Sequence, residues 1–245
     1  MFSGRYRIAE TNIEVVSIYE SVQKMCAAYT TAGNPSIRIV VKESDIRAEA
    51  KLSEKMRRND GRPPCRFSAD YLESLAVYRQ LATALLAEDV LLFHGSAVAV
   101  DGWAYLFTAK SGTGKSTHTA LWRNLLGERA VMVNDDKPLI KLTSDGRAIV
   151  YGTPWDGKHH LSTNTAVPLK AICWLTRARK NCIEPITPAT ACETLVGQTF
   201  CPRTPQQVAR MLKLVNQLST AVGLYKMGCN TEPSAAELAY KTMSK

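Results

Sequence analysis

The stretch Ala109-Lys110-Ser111-Gly112-Thr113-Gly114-Lys115-Ser116-Thr117 decides the reading of this chain. It follows the apolar run Ala104-Tyr105-Leu106-Phe107, which reads as a strand, and it opens a segment of helical character. Strand, glycine-rich loop and helix in that order are the setting a phosphate-binding loop requires. Gly112 and Gly114 let the backbone turn so that successive N–H groups face phosphate oxygens. The helix N-terminus adds its partial positive charge. Lys110, Ser111, Gly112, Thr113, Gly114, Lys115, Ser116 and Thr117 are therefore the expected nucleotide-binding residues. Lys115 reaches the outer phosphates as a point charge, and the Ser116 hydroxyl ligates Mg²⁺. The usual pattern starts with glycine, and here that position is Ala109.

Working outward, Ala97–Val100 and Ala104–Phe107 flank Asp101-Gly102, a strong hairpin signal. On the other side, Ala130 to Val133 reads as a short strand, directly followed by Asn134-Asp135-Asp136. In phosphate-loop architectures the ends of neighbouring parallel strands converge on the phosphates, so carboxylates here can share the work. One holds Mg²⁺ and the other accepts the proton of an attacking hydroxyl. The bland alternative is a polar turn between strands.

The rest of the chain is of ordinary globular make-up. Its 245 residues fit one large domain or a core with an appendage. The net charge of +9 calls for anionic partners, but the basic residues are scattered and lack interleaved aromatics, which speaks against nucleic acid. The seven cysteines, Cys26, Cys65, Cys173, Cys182, Cys192, Cys201 and Cys229, form no C-x-x-C pair, so zinc-site spacing is absent. Cys173 and Cys229 lie in apolar contexts and read as buried small hydrophobes. No stretch nears the ~18 apolar residues of a membrane span, and Met1 to Thr11 holds charges but no apolar run. The expectation is a cytoplasmic protein with free thiols and no membrane partner. A homo-oligomer stays open.

Residues 1–66 read as a small α+β module with strands at Ile13–Val16 and Ile37–Val41. Lys55 to Pro64, with Arg57, Arg58, Arg62 and Pro63-Pro64, reads as an exposed linker, which places a boundary at residue 66. Residues 67–245 form the phosphate-loop domain. A helix follows Ser68, with Leu72, Leu75, Leu81 and Leu85 at helical spacing. A second hairpin surrounds Asp145-Gly146, and strands are expected at Ala171–Leu175 and Cys182–Ile186. Thr187-Pro188 and Thr204-Pro205 announce two helices, since proline suits the first helical position. Gly223 reads as the stop of the second, and a last helix begins after Thr231. The expected fold class is α/β, a P-loop core with a mixed sheet and C-terminal helices.

His94-Gly95-Ser96, the Asp101-Gly102 hairpin, Ser111 to Ser116 and Asn134-Asp135-Asp136 occur in one order at compact spacing. In this they resemble the catalytic domain of HPr serine kinase/phosphorylase, whose core phosphoenolpyruvate carboxykinase shares. The likeness spans roughly residues 90–176, and the chain is much too short for a full carboxykinase. Gly152-Thr153-Pro154-Trp155-Asp156-Gly157-Lys158-His159-His160 and Tyr225-Lys226-Met227-Gly228-Cys229 resemble a compact subgroup that includes lasso-peptide tailoring serine kinases. The resemblance implies a core of the HPr kinase C-terminal-domain type, with transfer of the γ-phosphoryl of ATP to the acceptor serine of a protein or peptide. It implies Asp135 as the catalytic base, His94 as an active-site histidine, Lys115 in its phosphate-loop role, and Ser116 with Asp136 at Mg²⁺.

Other residues are weaker signals. Lys158, with His159 or His160, is the expected contact for phosphate or an acidic substrate group, against the plain alternative of a surface loop around a packed Trp155. Arg123 reads as facing solvent, with pairing to phosphate as the alternative. Arg177, Arg179 and Lys180 read as a solvated turn, with contact to an acidic substrate as the lesser alternative. Two rivals to a protein or peptide kinase remain at this level: a small-molecule kinase with the same chemistry, and a non-catalytic ATP-sensing module.

Overall fold

The computed structural model describes residues 1–59, 61, 63–157 and 159–245. Asp60 and Arg62, both within the expected linker, and Lys158 lie outside the described residues. The chain divides into two compact units, Met1–Ala84 and Leu85–Lys245.

The N-terminal unit is a three-stranded sheet with helices. Strands β1 (Phe2–Ile8) and β2 (Thr11–Ser17) form an antiparallel hairpin with Ile8 opposite Thr11. Its two turn residues, Ala9 and Glu10, carry positive φ of 48° and 65°. Sequence reading missed β1 because the turn lacks Asn or Gly, although Tyr6 and Ile8 alternate with Arg5 and Arg7 at strand period. After the short helix α1 (Ser21–Met25), β3 (Ile37–Val40) pairs parallel with β2. Strands are expected at Ile13–Val16 and Ile37–Val41, and β3 stops one residue short, at Val40.

Helix α2 (Glu43–Asn59) runs through the first half of the expected linker. Arg57 in its last turn donates from Nε (3.0 Å) and Nη2 (2.7 Å) to the Pro63 carbonyl. Helix α3 (Ala69–Leu85) packs within the N-terminal unit. Its Glu73, wholly buried, accepts the Ile18 N–H (2.5 Å) and the Tyr19 N–H (2.9 Å), and its Arg79 pairs with the buried Glu49 of α2 at 2.6 Å. The division at residue 66 and the division into compact units thus differ by this one helix.

Among its described residues, the C-terminal unit is built on nine strands. Its elements run in chain order from β4 (Val90–Leu92), β5 (Ser96–Val100) and β6 (Trp103–Thr108) through helix α4 (Lys115–Leu126) to β7 (Ala130–Asn134), β8 (Leu139–Leu142), β9 (Ala148–Tyr151), β10 (Ala166–Arg177) and β11 (Cys182–Pro185). Helices α5 (Pro188–Gln198) and α6 (Pro205–Ala221), strand β12 (Gly223–Cys229) and helix α7 (Pro233–Met243) complete it. The sheet order is β4-β8-β9-β10-β6-β5-β7. The long β10 serves three neighbours: antiparallel β9 along residues 166–168, parallel β6 along 169–174 and parallel β12 along 171–177. Strand β11 then pairs antiparallel with β12.

Both expected hairpins are present. Asp101 and Gly102 turn β5 into β6 with φ of 51° and 82°. Gly146, φ 82°, sits in the β8–β9 turn, closed by bonds between Thr143 and Arg147. Strand period sorts the apolar side chains onto two faces. Ala97, Leu106 and Ile172 pack under α5 and α6 with Leu195, Leu214 and Leu218. Val98, Tyr105, Phe107 and Cys173 pack under α4 and α7 with Trp122, Ala235 and Ala239. Cys173 is fully buried as expected, while Cys229 is half-buried.

Helices α5 and α6 begin as their Thr-Pro signals require. Thr187 Oγ1 accepts the Thr190 N–H (3.2 Å), Thr204 Oγ1 accepts the Gln207 N–H (3.3 Å), and the prolines follow. Gly223 is a correction: α6 ends at Ala221, Val222 is already extended, and Gly223 opens β12. Only Leu224 and Met227 of that strand are buried, too sparse an alternation to announce it. No helix among the described residues is long and apolar enough to cross a membrane. The fold is mixed α/β.

Candidate active site

Strand β5 lies antiparallel between β6 and β7, so β6 and β7 point the same way. Their C-terminal ends and the start of β5 share one edge of the sheet. That edge brings together Thr108, Ser96 and Asn134, with Ser96 opposite Phe107 and Ala97 opposite Asn134.

The phosphate loop rises from β6 at this edge. Ala109, where glycine is usual, is buried in the layer under α4, so its methyl packs in the core. Gly112 and Gly114 have φ of 76° and 123°, the left-handed region that glycine tolerates. The Thr113 N–H closes a turn onto the Lys110 carbonyl at 3.1 Å. Lys110, Ser111 and Gly112 are exposed, Thr113, Gly114 and Lys115 are half-buried, and Ser116 and Thr117 are exposed on the first turn of α4. Lys115 Nζ folds back to the Ala109 carbonyl at 3.3 Å. Burial pulls its pKa down, partly offset by the Asp136 and Asp135 carboxylates. Lys115 and the acidic pair are therefore electrostatic neighbours.

The two carboxylates occupy different surroundings. Asp135 is buried, 5% exposed, and its Oδ1 accepts the Ser96 hydroxyl at 2.6 Å. Ser96 Oγ also lies 3.0 Å from Thr119 Oγ1 of α4. This Thr119–Ser96–Asp135 chain joins α4, β5 and the residue that follows β7, and locks one carboxylate rotamer. Gly157 lies on its other side, where a Cβ would stand 2.9 Å from Asp135 Oδ2. Asp136 is half-exposed. His94 Nε2 stands 3.4 Å from its Oδ1 and Lys137 Nζ 3.6 Å from its Oδ2.

The surroundings of His94 favour its neutral form. Burial, then the charges of Lys137 and Lys115, bring its pKa down to about 4 against the opposing pull of Asp136. The His94 backbone is fixed by the Gln198 carbonyl at 2.8 Å, and the Gly95 N–H bonds the Asp136 carbonyl at 3.1 Å.

Asn134 ties the pair to the Gly152–Gly157 segment. Its Oδ1 accepts the N–H groups of Asp136 (2.9 Å) and Lys137 (2.6 Å), the side-chain turn that Asn makes readily. Its Nδ2 donates to Thr153 Oγ1 at 3.0 Å and to the Trp155 carbonyl at 3.3 Å. Gly152 is closely packed, since a Cβ would meet the Val133 carbonyl at 2.7 Å.

The end of that segment behaves differently. Lys158 is outside the described residues. His159 and His160 are exposed, and His160 Nδ1 lies 2.9 Å from Asp156 Oδ1. Trp155 is buried. The buried half of the motif thus supports the acidic pair, and its two histidines face solvent.

Other residues escaped sequence reading. Ser96 belongs to the His94-Gly95-Ser96 motif, but the sequence assigns it no role of its own. Lys137 directly follows the Asp pair and was legible as a cation there. Arg177, read as part of a solvated turn, donates from Nη2 to the Gly112 carbonyl (2.6 Å) and from Nε to the Thr113 carbonyl (3.3 Å). Arg123, read as solvent-facing, is half-buried. His118 is a core residue whose Nε2 accepts the Trp122 Nε1–H at 3.2 Å.

No group of three or more metal-ligating side chains occurs among the described residues. The donor set still fits Mg²⁺, which keeps waters and takes one or two carboxylates together with substrate phosphates. Asp136 is accessible beside Lys115, and Ser116 is exposed on the loop helix.

A comparison with protein-family models finds no match. A comparison with curated proteins finds none either. Among solved structures, the chain is similar to the HPr(Ser) kinase/phosphatase from Coxiella burnetii, at 13% identity and a TM-score of 0.35. The match covers 63% of this chain and 99% of that one. At that level the likeness is weak, and the chemistry has to be read from the site's own residues.

Proposed function

We propose that this chain is an ATP-dependent phosphotransferase that phosphorylates a serine hydroxyl of a protein or peptide. The observation that carries the reading is the buried Asp135 carboxylate, locked by Ser96, at the same sheet edge as the Gly112–Lys115 loop. A fixed, water-shielded carboxylate beside a phosphate cradle suits removal of a proton from an attacking hydroxyl.

In this reading the loop amides and Lys115 grip the β- and γ-phosphates. Asp135 takes the hydroxyl proton as the oxygen attacks the γ-phosphorus in line and the bond to ADP breaks. Ser116 and Asp136 would hold Mg²⁺, whose charge neutralises the phosphate oxygens. Neutral His94 orients Asp136, and Lys137 adds a second cation beside it. The choice of serine in a polypeptide, over a metabolite, rests on the motif resemblance of Gly152–His160.

The test is transfer of labelled phosphate from ATP with Mg²⁺ to serine-containing peptides and, in parallel, to a metabolite pool. Label on peptide serine is expected. Asp135→Asn is expected to keep ATP binding and to lose roughly 10²–10⁴-fold in transfer, the usual worth of a general base. No turnover by the wild-type chain with any acceptor removes the kinase reading. Label confined to metabolites moves the substrate class.

A further inference from the structure

Strand β10 ends beside the phosphate loop. Its last pair with β6 is Trp174 opposite Thr108, and it continues through Leu175, Thr176 and Arg177 alongside β12. This overhang is anchored on its far side. Thr176 Oγ1 donates to the Met227 carbonyl at 3.2 Å, and the Ala178 N–H to the Cys229 carbonyl at 3.0 Å. Arg177 therefore projects from a fixed ladder. Its guanidinium reaches two consecutive loop carbonyls, Gly112 and Thr113, at 2.6 and 3.3 Å.

Those two bonds act on the shape of the loop. In a trans peptide the carbonyl and the next residue's N–H point in opposite directions. A Thr113 carbonyl held towards Arg177 sends the Gly114 N–H to the far side of the loop. Gly112 and Gly114 are the two loop residues at positive φ, the conformationally freest points of the segment. Without an outside grip, their peptide planes turn readily. The planar guanidinium fork suits this task, whereas an ammonium is a single point charge.

We propose that Arg177 is a positioning residue that clamps the phosphate loop in the shape that receives nucleotide. The proposal rests on the kinase reading for its purpose, but the clamp itself is a property of the nucleotide-free chain. Arg177 acts through the loop backbone and needs no contact with the reacting atoms.

The test uses the full chain, with Arg177→Ala and Arg177→Lys. Hydrogen exchange without nucleotide should show the Thr113 amide, which bonds the Lys110 carbonyl, exchanging at least about fivefold faster in Arg177→Ala, as local opening becomes easier. The Kd for Mg²⁺-ATP should weaken about tenfold, the effect of losing charge-assisted bonds at a solvent-exposed position. Added guanidinium ion should recover much of the ATP affinity of Arg177→Ala, and Arg177→Lys should recover little. A purely structural role would show instead as a fall in Tm with no such rescue. Exchange rates and Kd equal to wild type in Arg177→Ala overturn the clamp. If the wild-type chain binds no ATP, the kinase reading falls on its own, and the exchange rates still decide the clamp.

Discussion

At the residue scale, the site separates two adjacent carboxylates by environment. Asp135 turns into the protein towards Ser96 and Gly157, while Asp136 turns to the half-exposed side with His94 and Lys137. His94 yields a pH prediction. Its folded pKa is about 4, below the 6.5 of a free imidazole, chiefly through burial. Between those values the unfolded chain holds a proton that the folded protein refuses, so its contribution to stability is complete above pH 6.5 and is lost as pH falls towards 4. His118, likewise brought to about 4 by burial, loses stability in the same window. Stability curves at several pH values should show His94→Gln losing less than wild type on acidification, and both imidazole NMR signals should stay neutral down to about pH 5. A His94 signal titrating near pH 6.5 contradicts the buried, cation-flanked setting.

At the element scale, most of the frame was legible from local chemistry. The hairpin at Asp101-Gly102, the loop-to-helix step at Gly114-Lys115 and the Thr-Pro starts of α5 and α6 each rest on residues close in sequence. Strands β1 and β12 escaped, because one turns on an uncommon Ala9-Glu10 and the other is buried at only two positions. The Thr204 cap offers a direct check. Replacing Thr204 by Ala removes the acceptor of the Gln207 N–H and should cost about 1 kcal/mol, read as a lower urea midpoint with an unchanged denaturant slope. An unchanged midpoint means that the cap carries no stability. Helix α4 shows the same logic from inside: Trp122, fully buried against Tyr105 and Phe107, fixes the helix that carries Lys115 and Thr119.

At the scale of the molecule, two units each hold their own sheet, and the phosphate loop, acidic pair and Arg177 all belong to the second. The net charge of +9 is placed at the site only in part, at Lys115, Lys137 and Arg177. Thiol chemistry gives a test of the whole fold. Cys65, Cys182, Cys192 and Cys201 are exposed, whereas Cys26 and Cys173 are buried and burial pushes both thiols up, Cys26 to about 12. A thiol reagent on the native protein should modify the exposed four first, and Cys26 and Cys173 only after unfolding. Rapid native labelling of Cys173 shows that the sheet beneath α4 is not closed.

The amino-acid sequence by itself determined the glycines that shape the loop, the Lys-Ser that opens its helix, the acidic pair twenty residues past Lys115, and the caps and turns that punctuate the elements. These follow from backbone freedom and hydrogen bonding among near neighbours. Only the tertiary structure decided which carboxylate is buried, that Ser96 and Thr119 lock it, that His159 and His160 face solvent, and that Arg177 grips the loop. The reason is separation along the chain: Ser96 meets Asp135 across 39 residues and Arg177 meets Gly112 across 65. Such partners are chosen by strand order and register, which no local pattern encodes.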